Sequence, residues 1–149
     1  YGKMYAYETD GLGNYNLMDD ANVPSLLSAP YLGYCSADDP VYQNTRRFIL
    51  SEDNPFYFTG KKLHGIGSPH TPSRYVWHLA LVMQGLTAAT PEEKREMLAM
   101  IAATDGGTDL LHEGFFVDDP TVYTREWFTW PCSLFAEFVE RCVDEDIVE

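Results

Sequence analysis

Apolar positions fall into helical stripes along most of the chain, separated by polar and turn-forming residues. Leu26, Leu27, Tyr31 and Leu32 follow Asp19–Asp20–Ala21–Asn22–Val23–Pro24 and predict a first helix over roughly 23–34. Asp39 followed by Pro40 supplies an N-cap and first-turn pair, which opens a second, amphipathic helix reaching about Leu50. Residues 51–73 are rich in Gly, Pro and Ser and read as a long ordered connection, a kind of segment that often carries function. A third helix over about 74–89 is apolar nearly all round, from Tyr75, Val76 and Trp77 to Met83 and Leu86, and should be buried on most sides. The fourth opens at Thr90 with Pro91 and Glu93 in a capping-box pattern, turns Glu92, Lys94, Arg95 and Glu96 to water, and stops at Gly106–Gly107. The last starts near Thr124, breaks at Pro131, and carries the stripe Leu134, Phe135, Phe138, Val139 and Cys142. Residues 1–18 differ: Tyr5, Tyr7, Gly11, Gly13 and Tyr15 predict an extended hairpin or ordered loop.

Buried and amphipathic helices thus alternate along the chain, as expected of an α/α toroid with inner and outer helices around one axis. A plain helical bundle satisfies the same periodicity but has no need of long loops before its buried helices. The expected fold class is therefore all-α, with one short extended hairpin or loop at the N-terminal end. No internal sequence repeat is evident.

Composition changes this picture in three ways. Aromatic residues reach 14% and sit beside polar ones, which suits a sugar-binding cleft and suits a packed core equally well. The net charge of −13 speaks against nucleic acid and anionic membrane as partners, and no run of eighteen apolar residues spans a bilayer. That charge is uneven: residues 1–75 carry 8 acidic and 6 basic side chains, residues 76–149 carry 15 and 4. Glu92, Glu93, Asp144, Glu145, Asp146 and Glu149 supply much of the excess and read as a solvated outer face. Cys35, Cys132 and Cys142 are odd in number and lack metal-type spacing, so they read as buried thiols. The chain opens at Tyr1, without a signal peptide or an initiator Met, inside what reads as structured sequence. It is therefore expected to continue upstream, and its compartment is unknown.

Candidate chemistry clusters before the buried helices: Asp19–Asn22, Gly67–Pro72, His112–Gly114 and Arg125–Pro131. Helix starts in a toroid open on one end of the barrel, so these runs would line one cleft. Glu113 stands out, flanked by His112 and by Phe115 and Phe116, with no capping position to explain it. A carboxylate in partly apolar surroundings suits a general acid or base, whereas an ordinary surface-loop Glu would do no chemistry. Asp19, Asp20 and Asn22 could bond sugar hydroxyls, and one of them could equally cap the first helix. His70, beside Thr71 in a proline-bounded turn, and His112 are polar candidates that a structural role would also satisfy. Trp127 and Trp130 either stack on a sugar face or pack under the rim. The four histidines show neither HExxH nor paired-Cys spacing, so no metal site and no cofactor is expected. A Gly-rich phosphate loop and a GxSxG elbow are also missing from the sequence.

Four runs together carry a resemblance: Asp19–Asp20–Ala21–Asn22–Val23–Pro24–Ser25–Leu26–Leu27, Gly65–Ile66–Gly67–Ser68–Pro69–His70–Thr71, His112–Glu113 and Val117–Asp118–Asp119–Pro120. In this order they resemble glycoside hydrolase family 125, the metal-independent exo-α-1,6-mannosidases. The continuation Trp127–Phe128–Thr129–Trp130–Pro131 through Leu134–Phe135 leans toward the family's fungal, meiotically up-regulated branch. The resemblance implies that residues 1–149 are the C-terminal portion of a single (α/α)6 barrel. It implies an inverting glycosidase acting on an oligosaccharide with terminal α-1,6-mannose, with Glu113 as the general base. Asp19, Asp20, Asn22, His70, Thr71, His112, Trp127 and Trp130 would then line the substrate cleft. The family's general acid is an Asp upstream of this chain, so the segment alone should be inactive. Two other readings stand beside this one: a non-catalytic carbohydrate-binding module, and another α/α-toroid sugar enzyme such as an epimerase.

Overall fold

The computed structural model describes residues 1–148, so Glu149 of the acidic face lies outside the described residues. Two short strands, β1 (Glu8–Thr9) and β2 (Tyr15–Asn16), pair antiparallel as the N-terminal hairpin. Helix α1 (Pro40–Ile49) begins where Asp39 accepts from the Tyr42 N–H at 2.9 Å, as the Asp–Pro pair predicts. A second hairpin follows, β3 (Tyr57–Thr59) with β4 (His64–Ile66). Strand β5 (Tyr75–Val76) then leads into α2 (His78–Leu86), and α3 (Pro91–Ala102) starts on the Thr90 cap. Strands β6 (Gly114–Phe116) and β7 (Asp119–Thr124) join β5 in a three-stranded antiparallel sheet of order β5–β6–β7. Helix α4 (Thr129–Asp144) closes the chain.

The fold is therefore mixed α/β, four helices with three small antiparallel sheets, and the expectation of an all-α toroid segment is overturned. Each departure has a local cause. Residues 23–34 form turns because their backbone N–H groups are captured by side chains before a helix can use them. Asp19 takes the Leu26 and Leu27 N–H groups at 2.9 Å each, and Ser25 and Ser28 bond each other's backbones at 2.8 and 3.1 Å. Pro30 and Gly33 complete the interruption. Tyr75 and Val76 extend the apparent third helix in sequence but are strand, paired with Phe116 and Phe115. Aromatic and β-branched residues fit a pleated surface as well as a buried helix, and periodicity cannot separate the two over so short a run. Pro131 does not break the last helix. It occupies the first turn of α4, where its missing N–H has no intrahelical partner to lose.

Helix α2 is buried on both flanks, as its all-round apolar pattern predicts, and organises the core. On one side Leu81 and Val82 meet Met97 and Ile101 of α3, Phe115 of β6, and Phe138 and Cys142 of α4. On the other, Leu79, Ala80 and Met83 meet Leu27, Phe48, Ile49, Ile66 and Trp77. Burying a side chain of this size stabilises by roughly 1.5–3 kcal/mol. Gly85 lets α4 approach α2: a Cβ there would lie 2.2 Å from Phe138 Cζ. The helices are cross-tied by Arg46, which bonds Glu93 Oε1 at 2.9 Å and the Gln84 carbonyl at 3.3 Å. Glu93 thus turns inward, away from the outer face that its charge predicts. All three thiols are free. Cys142 is buried as expected, whereas Cys35 and Cys132 are only partly so.

Candidate active site

The β5–β6–β7 sheet places Glu113. Its backbone N–H donates to the Thr124 carbonyl at 3.2 Å, continuing the β6–β7 pairing one residue beyond Gly114↔Thr124. Phe115, two residues on, is fully buried, which anchors the strand. The Glu113 side chain is 17% exposed, and its Oε1 lies 3.3 Å from Arg125 Nε. Arg125 has φ 53, and its guanidinium stands 5.1 Å from the centre of the Phe128 ring. The strand ends, the left-handed Arg125 and the aromatic platform together define where the Glu113 carboxylate sits.

Behind Glu113, His112 is fully buried. Its Nδ1 faces the Arg125 carbonyl at 3.0 Å, its Nε2 faces the Asp105 carbonyl at 3.0 Å, and its ring stacks on Tyr123 at 3.7 Å. His78 lies beneath, and its Nδ1 accepts from the His112 N–H at 3.0 Å. Burial pushes His78 down to about 4, so it is neutral at pH 7.

Direct contacts link the other polar runs to this point. Trp77 packs on Gly114, where a Cβ would lie 3.0 Å from the indole Cδ1, and its Nε1–H donates to Thr71 Oγ1 at 2.9 Å. Thr71 Oγ1 lies 3.4 Å from the carbonyl of buried Ser68, while His70, its N–H on Ser68 Oγ at 3.2 Å, is exposed. The neighbouring Gly67 carbonyl accepts from the Ala21 N–H at 3.0 Å, which attaches the Asp19–Asn22 turn. In the other direction Trp77 meets Phe128 edge-on at 6.4 Å, and Phe128 meets Trp130 at 6.2 Å. One continuous set of contacts therefore runs from Ala21 through Thr71, Trp77, Gly114 and Arg125 to Trp130. Trp127 is 63% exposed and Trp130 38%.

The Asp19–Asn22 turn has a different character. Asp19 is fully buried, with both oxygens taken by backbone N–H groups; its carboxyl is pushed up to about 7 by burial, against the pull of those bonds. Asp20 is also buried and accepts from the Asn22 N–H and side-chain amide at 2.7 and 2.8 Å, so Asn22 is spent locally. Arg125 and Phe128 lie in the Arg125–Pro131 run that the sequence marks without being picked individually, and Trp77 and His78 are not marked at all. Trp77 and His78 read as parts of a buried helix, and nothing in the chain announces that Arg125 takes a left-handed backbone. Among the described residues no group of three or more His, Cys, Asp or Glu is placed to hold a metal ion.

The site is thus a strand-end carboxylate beside an arginine, backed by buried histidines and linked through Phe128 to the partly exposed Trp130. The chain belongs to the metal-independent alpha-mannosidase family, glycoside hydrolase family 125, whose sequence profile matches residues 1–140. It is 50% identical over 140 residues to the meiotically up-regulated gene 157 protein of Schizosaccharomyces pombe, which covers 93% of this chain and 28% of that protein. A solved metal-independent alpha-mannosidase of Streptococcus pneumoniae, in a non-productive substrate complex with alpha-1,6-mannobiose, superposes with a TM-score of 0.93. That match has 56% identity and covers 95% of this chain and 33% of the other. The chain thus spans about a third or less of the length of these relatives.

Proposed function

We propose that the full-length polypeptide is an inverting exo-α-mannosidase that releases terminal α-1,6-linked mannose, with Glu113 as the general base. The observation that carries this reading is the state of the Glu113 carboxylate. It is oriented by Arg125 and by the strand end, and among the described residues no backbone N–H donates to it. Such a group can accept a proton from a water and still hold its position, as a general base must. Inverting glycosidases set two carboxyl groups about 6.5–9.5 Å apart to leave room for that water. In this reading the acid comes from an Asp outside the present chain, so the 149-residue segment alone does not turn over substrate.

The other polar residues divide by exposure. His70, Thr71, Trp127 and Trp130 meet the sugar, Trp127 and Trp130 by stacking. Asp19, Asp20, Asn22 and His112 hold the wall from beneath. The alpha-1,6-mannobiose bound by the Streptococcus pneumoniae relative supports the linkage. Assay of the full-length polypeptide on α-1,6-mannobiose and on its α-1,2 and α-1,3 isomers tests it. Preferential release of mannose from the 1,6 isomer, with inversion seen by NMR, is expected; preference for another isomer, or retention, overturns the proposal.

A further inference from the structure

The indole of Trp77 lies where separate parts of the candidate site meet. Strands β5 and β6 pair Tyr75↔Phe116 and Val76↔Phe115, so one step further along Trp77 faces Gly114, the residue after Glu113. The Trp77 N–H donates to the Ile66 carbonyl at 3.1 Å and the Trp77 carbonyl accepts the Ala80 N–H at 3.1 Å, which fixes its backbone between β4 and α2. The ring is buried, and its Nε1–H, the side chain's one donor, is taken by Thr71 Oγ1 at 2.9 Å. Phe128 meets the ring edge-on at 6.4 Å. The Arg125 guanidinium that reaches Glu113 lies 5.1 Å from the centre of that Phe128 ring.

Gly114 shows how closely the strand bearing Glu113 is pressed against the indole. Its φ lies outside the left-handed region, so its backbone does not call for glycine. A Cβ there would lie 3.0 Å from Trp77 Cδ1 and 3.2 Å from Nε1, tighter than side chains normally pack, whereas Thr124 Oγ1 would stand at an ordinary 3.5 Å. The missing side chain thus makes room for the ring of the facing residue, a cross-strand pair of aromatic and glycine.

We propose that Trp77 is a positioning residue for the reaction. Its indole sets the place of Glu113 through Gly114 and the place of Arg125 through Phe128, and Thr71 keeps the ring from turning. The proposal rests on the reading of Glu113 as general base. Displacement of a reacting group by about 1 Å costs on the order of 100-fold in rate, so a fixed ring against this strand bears directly on turnover.

The start of α2 supports this role. Trp77 occupies the N-cap position and makes no side-chain capping bond, where Ser, Thr, Asp or Asn would satisfy one of the first amides. The indole stands opposite Gly114 in place of a cap. A tryptophan that only filled the core would lower stability when trimmed and leave the rate of the folded enzyme unchanged. It would also show no coupling in rate to a methyl group added at Gly114.

Steady-state assays of the full-length polypeptide on α-1,6-mannobiose test the role. Gly114→Ala sets a methyl group against the fixed ring, shifts the strand by a few tenths of an ångström, and should lower kcat about 10-fold with KM little changed. Trp77→Phe removes Nε1 and the Thr71 tether, and should also lower kcat about 10-fold. The untethered phenyl ring can yield to the methyl group. The double variant should therefore fall about 10-fold as well, where independent effects would multiply to about 100-fold. Multiplied losses, an unchanged kcat in either single variant, or a raised KM with unchanged kcat overturns the proposal. Gly114→Ala leaves every other side chain in place, so its kcat alone decides if Trp77→Phe does not fold. If Glu113→Gln turns over normally, the general-base reading falls; if it is inactive while Gly114→Ala is unimpaired, only the role of Trp77 falls.

Discussion

The Asp19 turn and the Glu113 strand end look alike in the sequence, each a carboxylate in a polar run ahead of an apolar stretch, yet the folded chain uses them in opposite ways. Asp19 is fully buried, and both its oxygens are consumed by the Leu26 and Leu27 N–H groups. Glu113 is partly exposed, paired at 3.3 Å with one guanidinium, and among the described residues receives no backbone donor. The difference is one of unspent hydrogen-bonding capacity. A buried carboxylate with each oxygen held by a backbone N–H shapes a loop, and one held by its neighbours but open to solvent can act on a ligand.

The sharpest way to break the contrast is Glu113→Gln in the full-length polypeptide. Under the proposed mechanism turnover of α-1,6-mannobiose falls about 10²–10⁴-fold, the usual contribution of a general base, while calorimetric binding of the sugar is nearly unchanged. Near-normal turnover would remove Glu113 from the chemistry. Asp19→Ala acts on the other side. It strands two buried N–H groups and should cost about 2–4 kcal/mol of unfolding free energy in urea titrations. A loss within experimental scatter would mean that the turn does not depend on its carboxylate. Gly85→Ala probes the core that supports both regions. Its new methyl group meets the Phe138 ring, and overpacking of this kind costs about 1–3 kcal/mol, seen as a lower midpoint with unchanged denaturant slope.

The smallest expected effect is in the pH dependence. Asp19 is raised in the folded state from 3.8 to about 7, so its contribution to stability is full below pH 3.8 and is lost as pH rises toward 7. His78 is lowered from 6.5 to about 4, so its contribution is present above pH 6.5 and is lost as pH falls toward 4. Between about pH 4 and 6.5 the two slopes oppose. Asp19→Asn removes one of them, and the stability of that variant should rise with pH more steeply than that of the parent. Parallel curves for parent and variant would show that Asp19 titrates normally.

How far the sequence reaches is visible in particular elements. Asp39–Pro40 and Thr90–Pro91 are local signals, one side chain satisfying the first amides of its own helix, and both helices start where those residues predict. The all-round apolar α2 is buried as its pattern demands. The N-terminal hairpin falls where Tyr5–Tyr15 predict one, but the other two sheets were not legible. Their strands are two to six residues long, and pairs such as Val76 with Phe115 join positions far apart in the chain. Residues 23–34 misled for a related reason: the helical stripe is real, but Asp19, Ser25 and Ser28 outcompete the helix for its amides.

By itself, then, the sequence determined the starts of α1 and α3, the buried character of α2 and the family, because caps, periodicity and a run of ordered motifs are properties of neighbouring residues. Only the tertiary structure decided which polar residues are spent and which are free. The same Glu–His vocabulary yields a neutral His78, a His112 between two carbonyls and a Glu113 left open, because each outcome depends on partners brought from Thr104, Asp105 and Arg125. Burial and hydrogen-bond partners are set by the packing of distant segments, and no local pattern encodes them.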